Sequence, residues 1–245
     1  RGRRVGSFGD AEVFSFHATK SINALEGGAV VTNNAALAER VRQMRDFGFD
    51  GSHDDVIDVG TNGKMNEISA AMGLTLLDSM DDIIATNRQV YRRYLYGLAG
   101  IPGIRPVVYD ECEENTFHYV VVEVDEAQAG LSRDQLMEVL RAENVMARRY
   151  FYPGCHRAEP YRSDRRYASV VMPVTDELSQ RVLALPSGGS VGIDKADAVC
   201  RLIHLAVAES AQVRSLFAAH TDLAPYQALF THSDNDPCVR AERMV

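Results

Sequence analysis

The sequence predicts a mixed α/β protein assembled from parts of two domains. Three observations carry this. Two short runs of β-formers lie close together near the N-terminus. A helical pattern without proline then runs from Asn66 to about Leu98, and beyond it strand and helix patterns alternate once more.

Taken in order, Glu12-Val13-Phe14-Ser15-Phe16 alternates over a short range, and Ala29-Val30-Val31-Thr32 forms a second apolar run behind Gly27-Gly28. These predict two short strands, with Lys20 in their connection. Asn33 or Asn34 offers an N-cap to an amphipathic helix marked by Leu37, Ala38, Val41 and Met44 and closed by Gly48. Residues from about 49 to 63 are polar and Gly-rich, which predicts a loop. The long pattern that follows exceeds an ordinary globular helix, so a kink or a connector between domains is expected, with Gly97, Gly100 and Pro102 as its stop. Thr116 to Val124 then reads as a strand, Ser132-Arg133-Asp134-Gln135 as a capping box opening a helix to about Asn144, and Val145 to Tyr152 as a further strand. Helices are expected over Asp176 to Leu183 and Asp194 to about Glu209, and the end of the chain shows no apolar periodicity. The expected division is 1–98, 99–219 and a tail, 220–245.

Hydrophobic residues make up 46% and charged residues 24%, the balance of a chain that folds and not of a disordered or fibrous one. A formal net charge of −8 argues against a nucleic-acid footprint, which needs a surplus of Lys and Arg on one face. No apolar run reaches the length of about 18 residues that a membrane span needs, and Arg1-Gly2-Arg3-Arg4 leads into a Gly/Ser turn, so neither a membrane partner nor a targeting segment is expected. Cys112, Cys155, Cys200 and Cys238 lie far apart with no C-x-x-C pair, which excludes a zinc knuckle and a disulfide scaffold and makes the cytoplasm the expected compartment. No metal site is expected.

A lysine in a turn after a half-buried strand, beside glycine-rich sequence, suits imine formation, because partial desolvation favours the neutral amine. Lys20 occupies such a position, although one lysine alone would be an ordinary loop residue. Its surroundings add to this. Residues Gly6 to Gly28, G-S-F-G-D-A-E-V-F-S-F-H-A-T-K-S-I-N-A-L-E-G-G, closely resemble the active-site lysine segment of the DegT/DnrJ/EryC1/StrS family. Four later stretches resemble that family's landmarks in the same order. They are Asp46-Phe47-Gly48-Phe49, then Asn62-Gly63-Lys64-Met65-Asn66-Glu67 with Ala70 to Leu74, then Tyr150-Phe151-Tyr152-Pro153 with His156, and finally Leu183-Ala184-Leu185-Pro186-Ser187.

The resemblance implies a type I aminotransferase fold, here the C-terminal part of the large domain plus the small α+β domain. It implies pyridoxal 5'-phosphate as cofactor, a homodimer whose active sites are shared across the interface, and Lys20 as the Schiff-base lysine that also moves the proton. Ser15 matches a position whose hydroxyl contacts the cofactor phosphate, the alternative being a strand serine on the other face. Asn62 matches an asparagine that reaches that phosphate from the partner subunit, the alternative being a turn residue of its Asn-Gly pair. Lys64, Tyr152 and His156 fall where the family builds its sugar-nucleotide pocket or on its rim. Arg148 and Arg149 are the cations expected for a pyrophosphate, and since neighbours on a strand face opposite ways, only one of them can face it. His17 is left outside the catalytic set, and Glu26-Gly27-Gly28 is assigned backbone geometry.

The function implied is transfer of an amino group, from a donor such as glutamate, to a nucleoside diphosphate keto sugar, in deoxyamino-sugar and antibiotic-sugar pathways. In the family a further part of the large domain precedes the lysine, and these residues do not carry it. The alternative is therefore a non-catalytic dimeric interaction or regulatory fragment. A dehydratase of the same superfamily has histidine at the lysine position, and Lys20 argues against it.

Overall fold

The computed structural model describes residues 2–52 and 54–219, and the expected tail, 220–245, lies outside the described residues. The chain forms two compact units. Of the described residues, the first comprises those up to Arg88 together with Tyr109–His118, and the second Gln89–Val108 together with those from Tyr119 onward.

In the first unit, β1 (Glu12–Ser15) pairs antiparallel with β2 (Gly28–Val31) in the register Glu12↔Val31 to Ser15↔Gly28. A Cβ at Gly28 would lie 2.7 Å from the Phe14 carbonyl oxygen, so only glycine allows the two backbones to close at the base of this hairpin. Helix α1 (Ala35–Arg45) begins where the Asn34 side chain accepts from Leu37 N–H at 3.1 Å. The loop after it folds back on the helix end, with bridges Asp46↔Asn62 and Phe49↔Val56. Gly48, at φ 81°, lies against the Asp58 carbonyl.

The long pattern is two helices, α2 (Glu67–Asp78) and α3 (Met80–Leu98), divided at Ser79, which meets the expectation of a kink. Asn66 caps α2 by accepting from Ser69 N–H at 2.9 Å. The boundary between the two units falls inside α3, between Arg88 and Gln89.

The second unit is built on a four-stranded antiparallel sheet in the order β3 (Ile104–Pro106), β4 (Val120–Val124), β6 (Val182–Leu185) and β5 (Arg148–Arg149). Between β4 and β5 (Arg148–Arg149) lie α4 (Glu126–Ala129) and α5 (Arg133–Ala142). After β5 come α6 (Pro173–Arg181), β6 (Val182–Leu185), α7 (Gly192–Ala208) and α8 (Ser210–Ala219). The capping box is present in both halves, Ser132 Oγ accepting from Gln135 N–H and Gln135 Oε1 from Ser132 N–H. Val120, Val122 and Val124 bury one face of β4, and Leu185 and Leu183 stand opposite the first two on β6. Leu136, Met137 and Leu140 of α5 and Val199, Cys200 and Ile203 of α7 complete this core.

Three expectations are corrected. The strand drawn from Thr116 begins at Val120, because residues 116–118 belong to the first unit. The strand drawn over Val145 to Tyr152 contracts to Arg148–Arg149, since an edge strand pairs only where its neighbour β6 runs alongside. Val182–Leu185, read partly as a helix end, is an interior strand between β4 and β5, and its short apolar run fits either element by periodicity alone. Among the described residues no helix is long and apolar enough to cross a membrane.

Candidate active site

Lys20 sits at the end of a tight turn that leaves β1, its backbone N–H donating to the His17 carbonyl at 2.9 Å. The turn is closed on its other side as well. Ala24 N–H donates to the Phe16 carbonyl at 2.8 Å, and Asn23 Nδ2 donates to the Lys20 carbonyl at 3.2 Å. Lys20 is half-buried, whereas His17 is exposed. His17 Nδ1 is occupied with Thr19, by the hydroxyl at 2.9 Å and the N–H at 3.2 Å, so its work is local to the turn. Ser15, five positions before the lysine on the exposed face of β1, accepts from His17 N–H at 3.3 Å. That hydrogen bond uses an oxygen lone pair and leaves the hydroxyl hydrogen to be donated elsewhere.

Three residues not singled out from sequence hold this turn from behind. Ser21 Oγ lies 2.7 Å from His118 Nδ1, and buried Asn87 donates from Nδ2 to Ser21 Oγ at 3.3 Å and to the Thr116 carbonyl at 3.0 Å. Burial pushes the His118 imidazolium down, the nearby Lys20 charge adds to that, and a hydrogen bond with the Thr19 backbone opposes it. The only local signal is a histidine set between Phe117 and Tyr119 ahead of a strand, and nothing in it points to Ser21.

Asn62 and Lys64 lie on the loop that folds back on α1. Asn62 is exposed, held by its bridge to Asp46, and Lys64 is ion-paired with Asp46 and stands 4.6 Å from the centre of the Phe47 ring.

The remaining predicted residues belong to the second unit. Arg148 is exposed at the sheet edge, and Arg149 faces the other way, as adjacent strand residues must. Arg149 Nε donates to Asp134 at 2.9 Å, and its guanidinium lies 4.9 Å from the centre of the Tyr152 ring. Buried Arg133 approaches the same ring at 5.4 Å and shares the Asp134 carboxylate at 2.6 Å. His156 turns its ring inward, its side chain only 6% exposed, with Nε2 2.8 Å from Asp176 Oδ1. Arg157 grips both oxygens of that carboxylate, at 3.0 and 2.7 Å. The Arg157 guanidinium first, and His156 second, hold the Asp176 carboxyl at about 2. Tyr152, Pro153, Arg157, Arg162, Asp176 and Gln180 line an open cavity of about 520 Å³.

A lysine on a hairpin turn, joined by a broken helix to an antiparallel α+β unit, is the later part of a type I aminotransferase fold. The chain belongs to the DegT/DnrJ/EryC1/StrS aminotransferase family, whose model matches residues 1–204. Aminotransferases of this family depend on pyridoxal phosphate. The chain is 35% identical over 187 residues to the dTDP-4-amino-4,6-dideoxy-D-glucose transaminase of Shigella dysenteriae, covering 76% of this chain and 50% of that protein. Among solved structures it is similar to DesI in the presence of its TDP-sugar product, with 47% identity and a TM-score of 0.80, over 90% of this chain and 54% of that one. It is also similar to DesV of S. venezuelae in complex with a ketimine intermediate, with 27% identity and a TM-score of 0.74, over 84% of this chain and 54% of that one. The chain thus spans about half the length of these relatives.

The donor set on the hairpin fits the cofactor. A phosphorylated aldehyde needs an amine to condense with and hydrogen-bond donors for a dianion, and this hairpin offers one of each, the Ser15 hydroxyl at the end of β1 and the Lys20 amine on the turn that leaves it.

Proposed function

We propose that this chain carries the reactive lysine of a pyridoxal-phosphate-dependent aminotransferase that moves an amino group from a donor such as glutamate to a nucleoside diphosphate keto sugar. The observation that carries this is the Lys20 turn, a half-buried amine on a closed hairpin inside a segment that matches the family model. When bound, the cofactor supplies the aldehyde with which amines condense and the ring that takes up electrons as a proton leaves carbon. Lys20 Nζ holds it and, once released, takes and returns the proton at the reacting carbon. Ser15 donates to the phosphate. Asn62, exposed on its loop, donates to the phosphate of the partner subunit's site.

Lys64, Arg148, Arg149, Tyr152 and His156 serve the nucleotide sugar. Arg148 offers its exposed charge to the pyrophosphate, Arg149 holds the Tyr152 ring in place, and His156 is set by Asp176 beside the cavity that Tyr152 lines. Residues 1–98 act as the part of the large domain that carries the lysine, and 99–219 as the small domain. Action as a homodimer is supported by α2, which leaves Ile68, Leu74 and Leu77 exposed at 76%, 64% and 49%, apolar surface on more than one side of the helix and suited to burial against further protein, and the widely spaced cysteines suit the cytoplasm as its compartment.

The test is borohydride reduction of the full-length protein with pyridoxal phosphate, followed by peptide mass analysis and assay with a panel of keto-sugar nucleotides. Label on Lys20 together with glutamate-dependent amination is expected. A folded dimer that takes no label at Lys20 would sink the proposal.

A further inference from the structure

The hydrogens behind the lysine turn can be counted. Asn87 Nδ2 has two, and the Thr116 carbonyl, which can only accept, takes one of them at 3.0 Å. That bond fixes which end of the amide is nitrogen. The second hydrogen goes to Ser21 Oγ at 3.3 Å. Ser21 Oγ keeps a second lone pair and its own hydrogen, and His118 Nδ1, 2.7 Å away, bonds to it. Burial and the neighbouring Lys20 charge favour the neutral imidazole, while the Thr19 backbone, one residue before the lysine, acts on the ring in the opposite sense. The ring thus meets the chain on both sides of Lys20, at Thr19 and at Ser21.

We propose that Asn87, Ser21 and His118 form a positioning relay that holds the Lys20 turn, with His118 acting as a neutral hydrogen-bond partner of Ser21 and not as a base. Three parts of the chain far apart in sequence meet here, Ser21 lying 66 positions from Asn87 and 97 from His118, and each side chain bonds to the next. A turn held only by its own backbone bonds would let the amine wander. The relay removes that freedom at the two residues flanking it.

The proposal rests on the assignment of Lys20 as the reactive amine, and the experiment separates the two. Full-length, cofactor-free protein is mixed with pyridoxal phosphate, quenched with borohydride at timed intervals, and the label on Lys20 is quantified by mass, alongside kcat, KM and thermal melting. Ser21→Ala and His118→Leu should each slow labelling and lower kcat by about tenfold to a hundredfold, with KM for the nucleotide sugar changed less than about threefold. His118→Gln, whose amide both accepts and donates, should restore labelling to within about fivefold of wild type. No label on Lys20 in the wild type would overturn the aminotransferase assignment itself. A labelled wild type with an equally fast Ser21→Ala protein would overturn the relay alone. So would a folded His118→Gln protein as slow as His118→Leu. Should His118→Leu fail to fold, Ser21→Ala decides, since it removes a single oxygen.

Discussion

Arg149 and Tyr152 form a stacked pair, the guanidinium 4.9 Å from the ring centre, while Arg149 Nε donates to Asp134 at 2.9 Å. The Arg149 guanidinium is thus held in place by a carboxylate and a ring, whereas Arg148 on the opposite face of β5 is exposed. Arg148→Gln should therefore raise KM for the nucleotide sugar selectively, by about tenfold for each 1.4 kcal/mol of binding free energy removed. Arg149→Gln should instead lower the melting temperature and weaken both substrates together. Separate Michaelis constants for the sugar nucleotide and the amino donor check this, and equal small effects from both variants would place the pyrophosphate elsewhere.

Lys20→Ala should abolish transamination while leaving the circular dichroism spectrum and the oligomeric state unchanged. The side chain is only half-buried, so its loss opens no core cavity, whereas acid/base help alone is worth about 10²–10⁴-fold in rate. Near wild-type turnover in the alanine variant would remove Lys20 from the site.

Asn62 offers a test of sharing between subunits. An Asn62→Ala chain mixed with a Lys20→Ala chain should regain activity, because one of the two sites in each heterodimer then carries neither defect. Heterodimers that form and stay inactive would put Asn62 in its own subunit's site, or leave it as the turn residue that its bridge to Asp46 already makes it.

Asp176 gives a pH dependence with a definite sign. Its carboxyl falls from the ordinary 3.8 to about 2 in the folded protein, through Arg157 first and His156 second. A depressed folded value means that the contribution is fully present above 3.8 and is lost as pH falls through about 2. Wild type should melt above Asp176→Asn at neutral pH, and the gap should close between about pH 4 and pH 2. A gap that persists at the acid end would mean the carboxylate does not hold His156 through its charge.

Much of the fold is readable from sequence where the physics is local. Asn34 caps α1, Asn66 caps α2 and Ser132 with Gln135 forms a capping box, because each depends on side chains within three residues of the backbone they satisfy. The same holds for the Lys20 hairpin, whose strands, glycine pair and turn lie together in one short segment. β6 is only partly legible because Val-Leu-Ala-Leu fits a buried strand or a helix end equally, and only its neighbours β4 and β5 settle which.

By itself, the sequence determined the family and the alternation that puts Arg148 and Arg149 on opposite faces, and it singled out Lys20 as the candidate amine, all of them matters of order and spacing along the chain. Tertiary structure alone decided which of those arginines pairs with Asp134, that His156 is set against Asp176, and that Asn87 and His118 stand behind Ser21. The physical reason is that a hydrogen bond needs its partners at about 3 Å. The folded chain brings residues 66 and 97 positions apart to that separation, and nothing in the pattern at either end specifies the other.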